Sequence, residues 1–154
     1  VVKGTGLNTT GILEYARDFV RKNKIKQGHI WSVFDKDDFP ENDFNSAILL
    51  AQQNGFDVAY SNQAFEFWFL LHFNLYQGAL HRSRYEKMLG ALLGFAYTKK
   101  SGVSSKMFNT LFSKQEQAIN HAKTIMRQFD GNNPAQQESS TTVHLLVKEL
   151  NKFL

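Results

Sequence analysis

The chain contains no cysteine. Disulfides and thiolate-ligated metal sites are therefore excluded, and their absence fits a cytoplasmic protein. No apolar run approaches the ~20 residues that a membrane-spanning helix needs, and no signal peptide is visible. The Gly-x-x-x-x-Gly-Lys-Ser/Thr phosphate loop is missing, so Gly4-Thr5-Gly6 is read as a turn and not as a phosphate cradle. Neither a metal-binding His pair, nor a nucleophile elbow, nor a cofactor lysine is present. There is no internal repeat and no low-complexity tract. The opening Val-Val-Lys-Gly-Thr-Gly has no initiator Met, the expectation for a fragment or a processed chain.

What is present is ordinary in amount and uneven in placement. A length of 154 residues gives one domain, or one domain with a helical extension. Fourteen phenylalanines in a chain that is 42% hydrophobic imply a dense aromatic core. The net charge of +4 divides unequally. Residues 1–79 carry seven Lys/Arg and nine Asp/Glu, a net of −2, whereas residues 80–154 carry eleven and five, a net of +6. An acidic region beside a basic half suits a metal centre acting on a polyanion such as nucleic acid. The alternative is a lysine-rich, solvated helical surface.

The most informative segment is Ile30-Trp31-Ser32-Val33-Phe34-Asp35-Lys36-Asp37-Asp38. An apolar run ends abruptly in three carboxylates, which reads as a buried strand and its C-terminal edge. Ligands of open parallel α/β sheets bind outside that edge. In an extended segment Asp35 and Asp37 share a face, roughly 6–7 Å apart, and Asp38 faces away unless a turn intervenes. Two carboxylates so placed suit Mg²⁺ or Mn²⁺. A capped acidic turn is the structural alternative.

The rest of the pattern alternates strand and helix. Residues 1–3 look like a strand end, and Asn8, Thr9 or Thr10 can cap a helix. That helix places Ile12, Tyr15, Ala16, Phe19 and Val20 on one face. Strands are expected at 29–35 and 56–60. Between them lies a helix capped by Asn42 or Asp43, with Phe44, Ala47, Ile48 and Ala51 inward. This order argues for a parallel sheet. Residues 65–73 are apolar almost all round, marking a buried helix. Further helices are expected near 83–93, 104–111, 114–129 and 142–153, with a loop over 131–140 around Pro134. The expectation is an α/β core over residues 1–76 and a helical portion over 77–154.

Several other residues have two readings. Glu66 is either a helix-dipole interaction, worth roughly 0.3–1 kcal/mol, or a third carboxylate of the metal site. As a buried carboxylate it needs a partner. His72 lies about 120° around the helix from Glu66, and is either a hydrogen-bonded core histidine or a phosphate contact or general acid. Asn62 either positions a phosphate or closes a turn. Lys99, Lys100, Lys106 and the His81-Arg82-Ser83-Arg84 cluster suit nucleic-acid backbone contacts, or else form ordinary solvated surface. Phe65, Phe67, Phe69 and Phe73 are read as core, not as a base-stacking platform.

Three stretches together resemble the RloB family: Val33-Phe34-Asp35-Lys36-Asp37-Asp38-Phe39; Ser61-Asn62-Gln63-Ala64-Phe65-Glu66-Phe67-Trp68-Phe69-Leu70-Leu71-His72-Phe73; and Asn133-Pro134 with Ser140-Thr141-Thr142-Val143-His144. RloB-like proteins resemble, in turn, the Toprim fold of topoisomerases, primases and OLD-family nucleases. The resemblance implies a Toprim-like parallel sheet flanked by helices and a Mg²⁺-dependent nuclease of prokaryotic defence, associated with restriction–modification or phage-resistance loci. It implies, often, an ATPase partner. Asp35 and Asp37 would hold metal and, with Glu66 as a third carboxylate, form the catalytic set. Side-chain chemistry, not the resemblance, puts Asn62, His72, Arg82, Arg84, Lys99 and Lys100 toward substrate. The chain departs from the pattern in two places. Gln63-Ala64 stands where the family has Pro-Cys, and the N-terminal glutamate stretch on which Toprim catalysis relies is absent. Glu14, mid-helix on a polar face, does not replace it. A non-catalytic module that binds an ATPase or nucleic acid is the competing expectation.

Overall fold

The structure is a computed structural model that describes residues 3, 4, 6, 9–25, 28–99 and 103–154, with only the backbone of Thr9 and Thr10. The strand end expected at residues 1–3, the Gly4-Thr5-Gly6 turn and the cap at residues 8–10 therefore fall wholly or partly outside the described residues. The chain is mixed α/β and mostly helical. Helix α1 spans Thr9–Lys22, strand β1 Trp31–Asp35, helix α2 Glu41–Gln53 and strand β2 Asp57–Asn62. Helices α3 (Glu66–Leu70), α4 (Tyr85–Leu93), α5 (Ser104–Phe112) and α6 (Gln115–Met126) follow. Strand β3 (Ser140–Thr141) and helix α7 (Val143–Leu150) complete the order. Short 3-10 turns at Arg82–Arg84, Pro134–Gln136 and Asn151–Phe153 join or end these elements.

Among the described residues the sheet has three strands in the order β1-β2-β3. β1 and β2 are parallel, with Asp35 opposite Ser61, as the β-α-β pattern requires. The expectation of a wholly parallel sheet is not met, because β3 runs antiparallel to β2. β3 begins inside the stretch read as a loop. Two residues are too few for a period-two pattern to show. What fixes them is side-chain bonding: Thr141 Oγ1–H donates to the Tyr60 carbonyl at 2.9 Å and Thr142 Oγ1 accepts from the Tyr60 N–H at 2.9 Å.

Alternation along the strands sends side chains to two cores, one on each face of the sheet. Phe34 and Tyr60 point into the core made with Leu13 of α1 and Phe44, Ala47, Ile48 and Ala51 of α2. Trp31 and Ala59 point into the other, built from Phe67, Trp68, Leu70 and Leu71 with helices α4, α6 and α7. Phe44 meets Phe34 and Tyr60 edge to face at 5.7 and 5.5 Å, the favoured geometry for aromatic pairs. The four inward residues expected of α2 are all buried. In α1, Leu13 is the fully buried residue with Ile12, Ala16 and Val20 packed around it, whereas Tyr15 is exposed and stacks on Phe19 at 6.3 Å.

Boundaries shift for identifiable reasons. α2 begins two or three residues early, with Pro40 at its N-cap and no side-chain cap bond, so Asn42 and Asp43 lie in its first turn. Glu41 and Asp43 suit the helix's positive end. The helix expected over 65–73 is regular only through Leu70. The next residues tighten into i→i+3 bonds, His72 N–H to Phe69 O at 3.2 Å and Phe73 N–H to Leu70 O at 3.0 Å. Gly94, at φ +71°, closes α4 by donating its N–H to the Gly90 carbonyl. Among the described residues no helix is long and apolar enough to cross a membrane.

Candidate functional site: a carboxylate edge closed by two cations

The parallel pair β1-β2 places its carboxyl ends side by side, and the three carboxylates after β1 sit there. They do not lie along an extended strand. β1 ends at Asp35, and the chain turns through Asp37 at φ +44°. The Asp37 N–H donates to the Gln63 carbonyl at 2.9 Å, and Gln63 itself has φ +84°. Asp tolerates the left-handed region more readily than Gln. Two adjoining loops each hold a non-glycine residue there, and such backbone costs about 1–3 kcal/mol per residue. The turn, not strand geometry, brings Asp37 close to Asp35.

Asp35 is the central group. Burial pushes its carboxyl up to about 6, and the charges of Asp37 and Glu66 add to the rise. A hydrogen bond from the Phe65 backbone and the Lys99 ammonium act in the opposite sense. A carboxylate that is partly buried and crowded by two others gains from a cation.

The other carboxylates already hold cations of the chain itself. The Arg82 guanidinium bridges Asp37 and Asp38, one nitrogen to each. Its backbone N–H donates to Gln63 Oε1 at 2.6 Å, which ties the 3-10 turn to the strained loop. Asp38 is thus turned toward Arg82, the turned alternative to facing away. Glu66 is buried at the start of α3, and its Oε1 accepts from Tyr97 Oη–H at 2.9 Å and from Lys99 Nζ at 3.0 Å. Glu66 raises the pKa of Lys99 through this hydrogen bond. Burial and then the Glu66 charge push the Tyr97 phenol up. The partner that Glu66 requires is a Lys–Tyr pair.

The remaining residues are more dispersed. Asn62 ends β2 on the same edge, but its side chain is fully buried and its Nδ2 donates to the Pro134 and Ala135 carbonyls, both at 2.8 Å. It docks the Pro134–Gln136 turn, which Asn45 also grips through Asn133 and the Ala135 N–H. His72 is buried, with Nδ1–H donated to the Trp68 carbonyl at 3.0 Å and its ring edge-on to Trp68 at 4.8 Å. Burial lowers its pKa to about 4, so it is neutral at pH 7 and has no charge for a phosphate. Arg84 is exposed, Lys106 lies over the Phe95 ring at 4.0 Å, and Lys100 falls outside the described residues. The edge therefore joins Asp35, Asp37, Asp38, Glu66, Arg82 and Lys99. Tyr97 and Gln63 belong with them: Tyr97 is a single tyrosine in an irregular stretch with no sequence signal, and Gln63 shows in sequence only as a departure from the family pattern, its role depending on its backbone.

Among the described residues no group of three or more His, Asp or Glu side chains is arranged to hold a metal ion. Glu66 in particular is occupied by Lys99 and Tyr97. The donor chemistry nonetheless fits Mg²⁺, which keeps several waters and takes one or two carboxylates together with substrate phosphate. Asp35, with its raised pKa, and Asp37 beside it are the two that fit.

Comparison with curated proteins and with solved structures returns no match. A family model described as RloB-like protein matches residues 1–150, and the chain belongs to the RloB-like family.

Proposed function

We propose that the carboxylate edge is the divalent-cation site of a Toprim-like nuclease, which hydrolyses phosphodiester bonds in nucleic acid. The observation that supports this reading most is Asp35. It is a partly buried carboxylate with its pKa pushed up to about 6 at the carboxyl end of a parallel strand, with Asp37 and Glu66 nearby. Mg²⁺ or Mn²⁺ held there would orient the scissile phosphate and offset developing charge on oxygen. Asp35 and Asp37 hold the ion in this reading. With an ion held by Asp35 and Asp37, the Arg82 guanidinium would be free to face phosphate, for which its forked geometry is suited. Glu66 and Tyr97 position the Lys99 ammonium as a second phosphate contact. RloB-like membership supports a place in prokaryotic defence, beside an ATPase partner.

The test is cleavage of labelled single-stranded and duplex DNA and RNA with Mg²⁺, with Mn²⁺ and with EDTA, using the wild type, Asp35→Asn and Asp37→Asn. Metal-dependent cleavage lost in both variants supports the reading, and metal-independent or unchanged cleavage refutes it. A second reading, a non-catalytic module that docks on an ATPase or nucleic acid, draws on the ion pairs of Asp37 and Asp38 with Arg82 and of Glu66 with Lys99. Under that reading, partner binding survives both substitutions.

A further inference from the structure

A groove of about 940 Å³ opens beside the carboxylate edge, between α3, α5 and the C-terminal helix. Its size is that of a small-molecule site, and its walls are largely apolar. The wall from α3 and the following loop carries Phe65, Phe69 and Tyr97. These rings form an edge-to-face chain with centroids 5.2 and 6.2 Å apart. Helix α5 supplies Phe108 and Phe112, one turn apart with centroids at 5.2 Å. They are 61% and 51% exposed, so their rings face the groove and solvent and are not held in the core.

Two features narrow the occupant. Glu66 and Lys99 line this groove and also belong to the carboxylate edge, so the two are continuous. Helix α5, which bears Phe108 and Phe112, carries Lys106 and no acidic residue, and Lys99 stands on the opposite wall. An occupant with flat apolar faces and regularly spaced negative charges matches both. We propose that the groove takes unpaired bases of a single-stranded nucleic acid, while its phosphates pass along the Lys99 end of the carboxylate edge. This assigns a substrate form, single-stranded rather than duplex, and rests on the phosphodiester reading of that edge. Aromatic side chains bind bases in this way with little regard to sequence, because every base has a π-face.

The experiment is fluorescence anisotropy in EDTA with a labelled oligothymidylate and an oligonucleotide of equal length made of abasic sites. The abasic strand keeps the phosphates and lacks the rings. The wild type should bind the base-bearing strand at least about 10-fold tighter. Phe108→Ala/Phe112→Ala should bring the two strands near parity, and Phe108→Tyr/Phe112→Tyr should keep the preference. Both positions are exposed, so circular dichroism should show the fold unchanged. Equal affinity for the two strands in the wild type, or a preference that survives the alanine pair, would overturn the proposal. So would displacement of a bound acidic amphipathic peptide, but not of the oligonucleotide, on alanine substitution, which would assign the groove to a protein partner. Because no metal is present, base preference without any metal-dependent cleavage would uphold the groove while removing the hydrolytic reading.

Discussion

Replacing Arg82 with alanine should tighten divalent-cation binding. The guanidinium bridges Asp37 and Asp38, and in the proposed site it competes with the incoming ion for Asp37. The Arg82 side chain is 30% exposed and the Asp37 side chain 46%, so the local medium lies between water and protein surface. Unit charges about 4 Å apart interact by roughly 1 kcal/mol in water and roughly 4 kcal/mol at an effective dielectric constant near 20. Side-chain freedom and salt reduce what a half-exposed pair retains. Loss of this competitor should then be worth about 1–2 kcal/mol to the ion, or about 5–30-fold in Kd. The variant keeps the Arg82 backbone bond to Gln63, so the loop stays in place. Stability should fall by no more than ~1 kcal/mol, or ~2–4 °C in Tm. Electron paramagnetic resonance of free Mn²⁺ during a protein titration reads the affinity directly, and a thermal melt reads the cost. Unchanged or weaker Mn²⁺ binding in a folded Arg82→Ala protein would show that the guanidinium does not compete for Asp37, and the exchange argument would fail.

A half-buried carboxyl and a buried imidazole set opposite pH trends. Asp35 has a folded pKa near 6, above its ordinary value of 3.8, so its ionisation disfavours the fold. That cost is absent below about 4 and is reached in full as pH rises through 6, where it amounts to about 2–3 kcal/mol. Asp35→Asn should therefore raise Tm at pH 7 and have little effect at pH 4. His72 has a folded pKa near 4, below its ordinary 6.5, so stability falls as pH drops from 6.5 toward 4 and levels below that. His72→Gln should flatten that acid limb, and nuclear magnetic resonance should show no His72 titration above pH 5.5 or so. Asn62→Ala removes two buried donors from the Pro134 and Ala135 carbonyls. It should cost about 2–3 kcal/mol and lower Tm by roughly 5–10 °C. A loss no larger than that of an exposed asparagine such as Asn74→Ala would remove the docking role.

The parts of the fold that show in sequence are those with a long repeating pattern. The β1-α2-β2 unit is legible because an apolar run, an amphipathic helix and a second apolar run follow in order, and their cores form as the spacing implies. β3 is not, because two residues between loops carry no period and their pairing rests on threonine hydroxyls. The carboxylate edge is half legible. Asp35 and Asp37 stand out as acids after an apolar strand, but the turn that joins them depends on Gln63 in a left-handed conformation. Lys99 and Arg82 stand out only as positive charges. That each closes a carboxylate follows from contacts of 33 and 45 residues' separation along the chain, Lys99 to Glu66 and Arg82 to Asp37, which local patterns do not encode. Phe65 and Phe69, read as core, pack against it half-buried and also line an open groove, since residue type alone does not separate a half-covered ring from a fully buried one.

The measurement that bears most directly on the carboxylate edge is isothermal calorimetry of Mn²⁺ into the protein, beside the Asp35→Ala/Asp37→Ala variant. Saturable binding in the wild type that disappears in the variant is the expected result. Absent binding in the wild type, or equal binding in both, would contradict the metal site and leave Asp35 and Asp37 as a turn neutralised by Arg82 and Lys99.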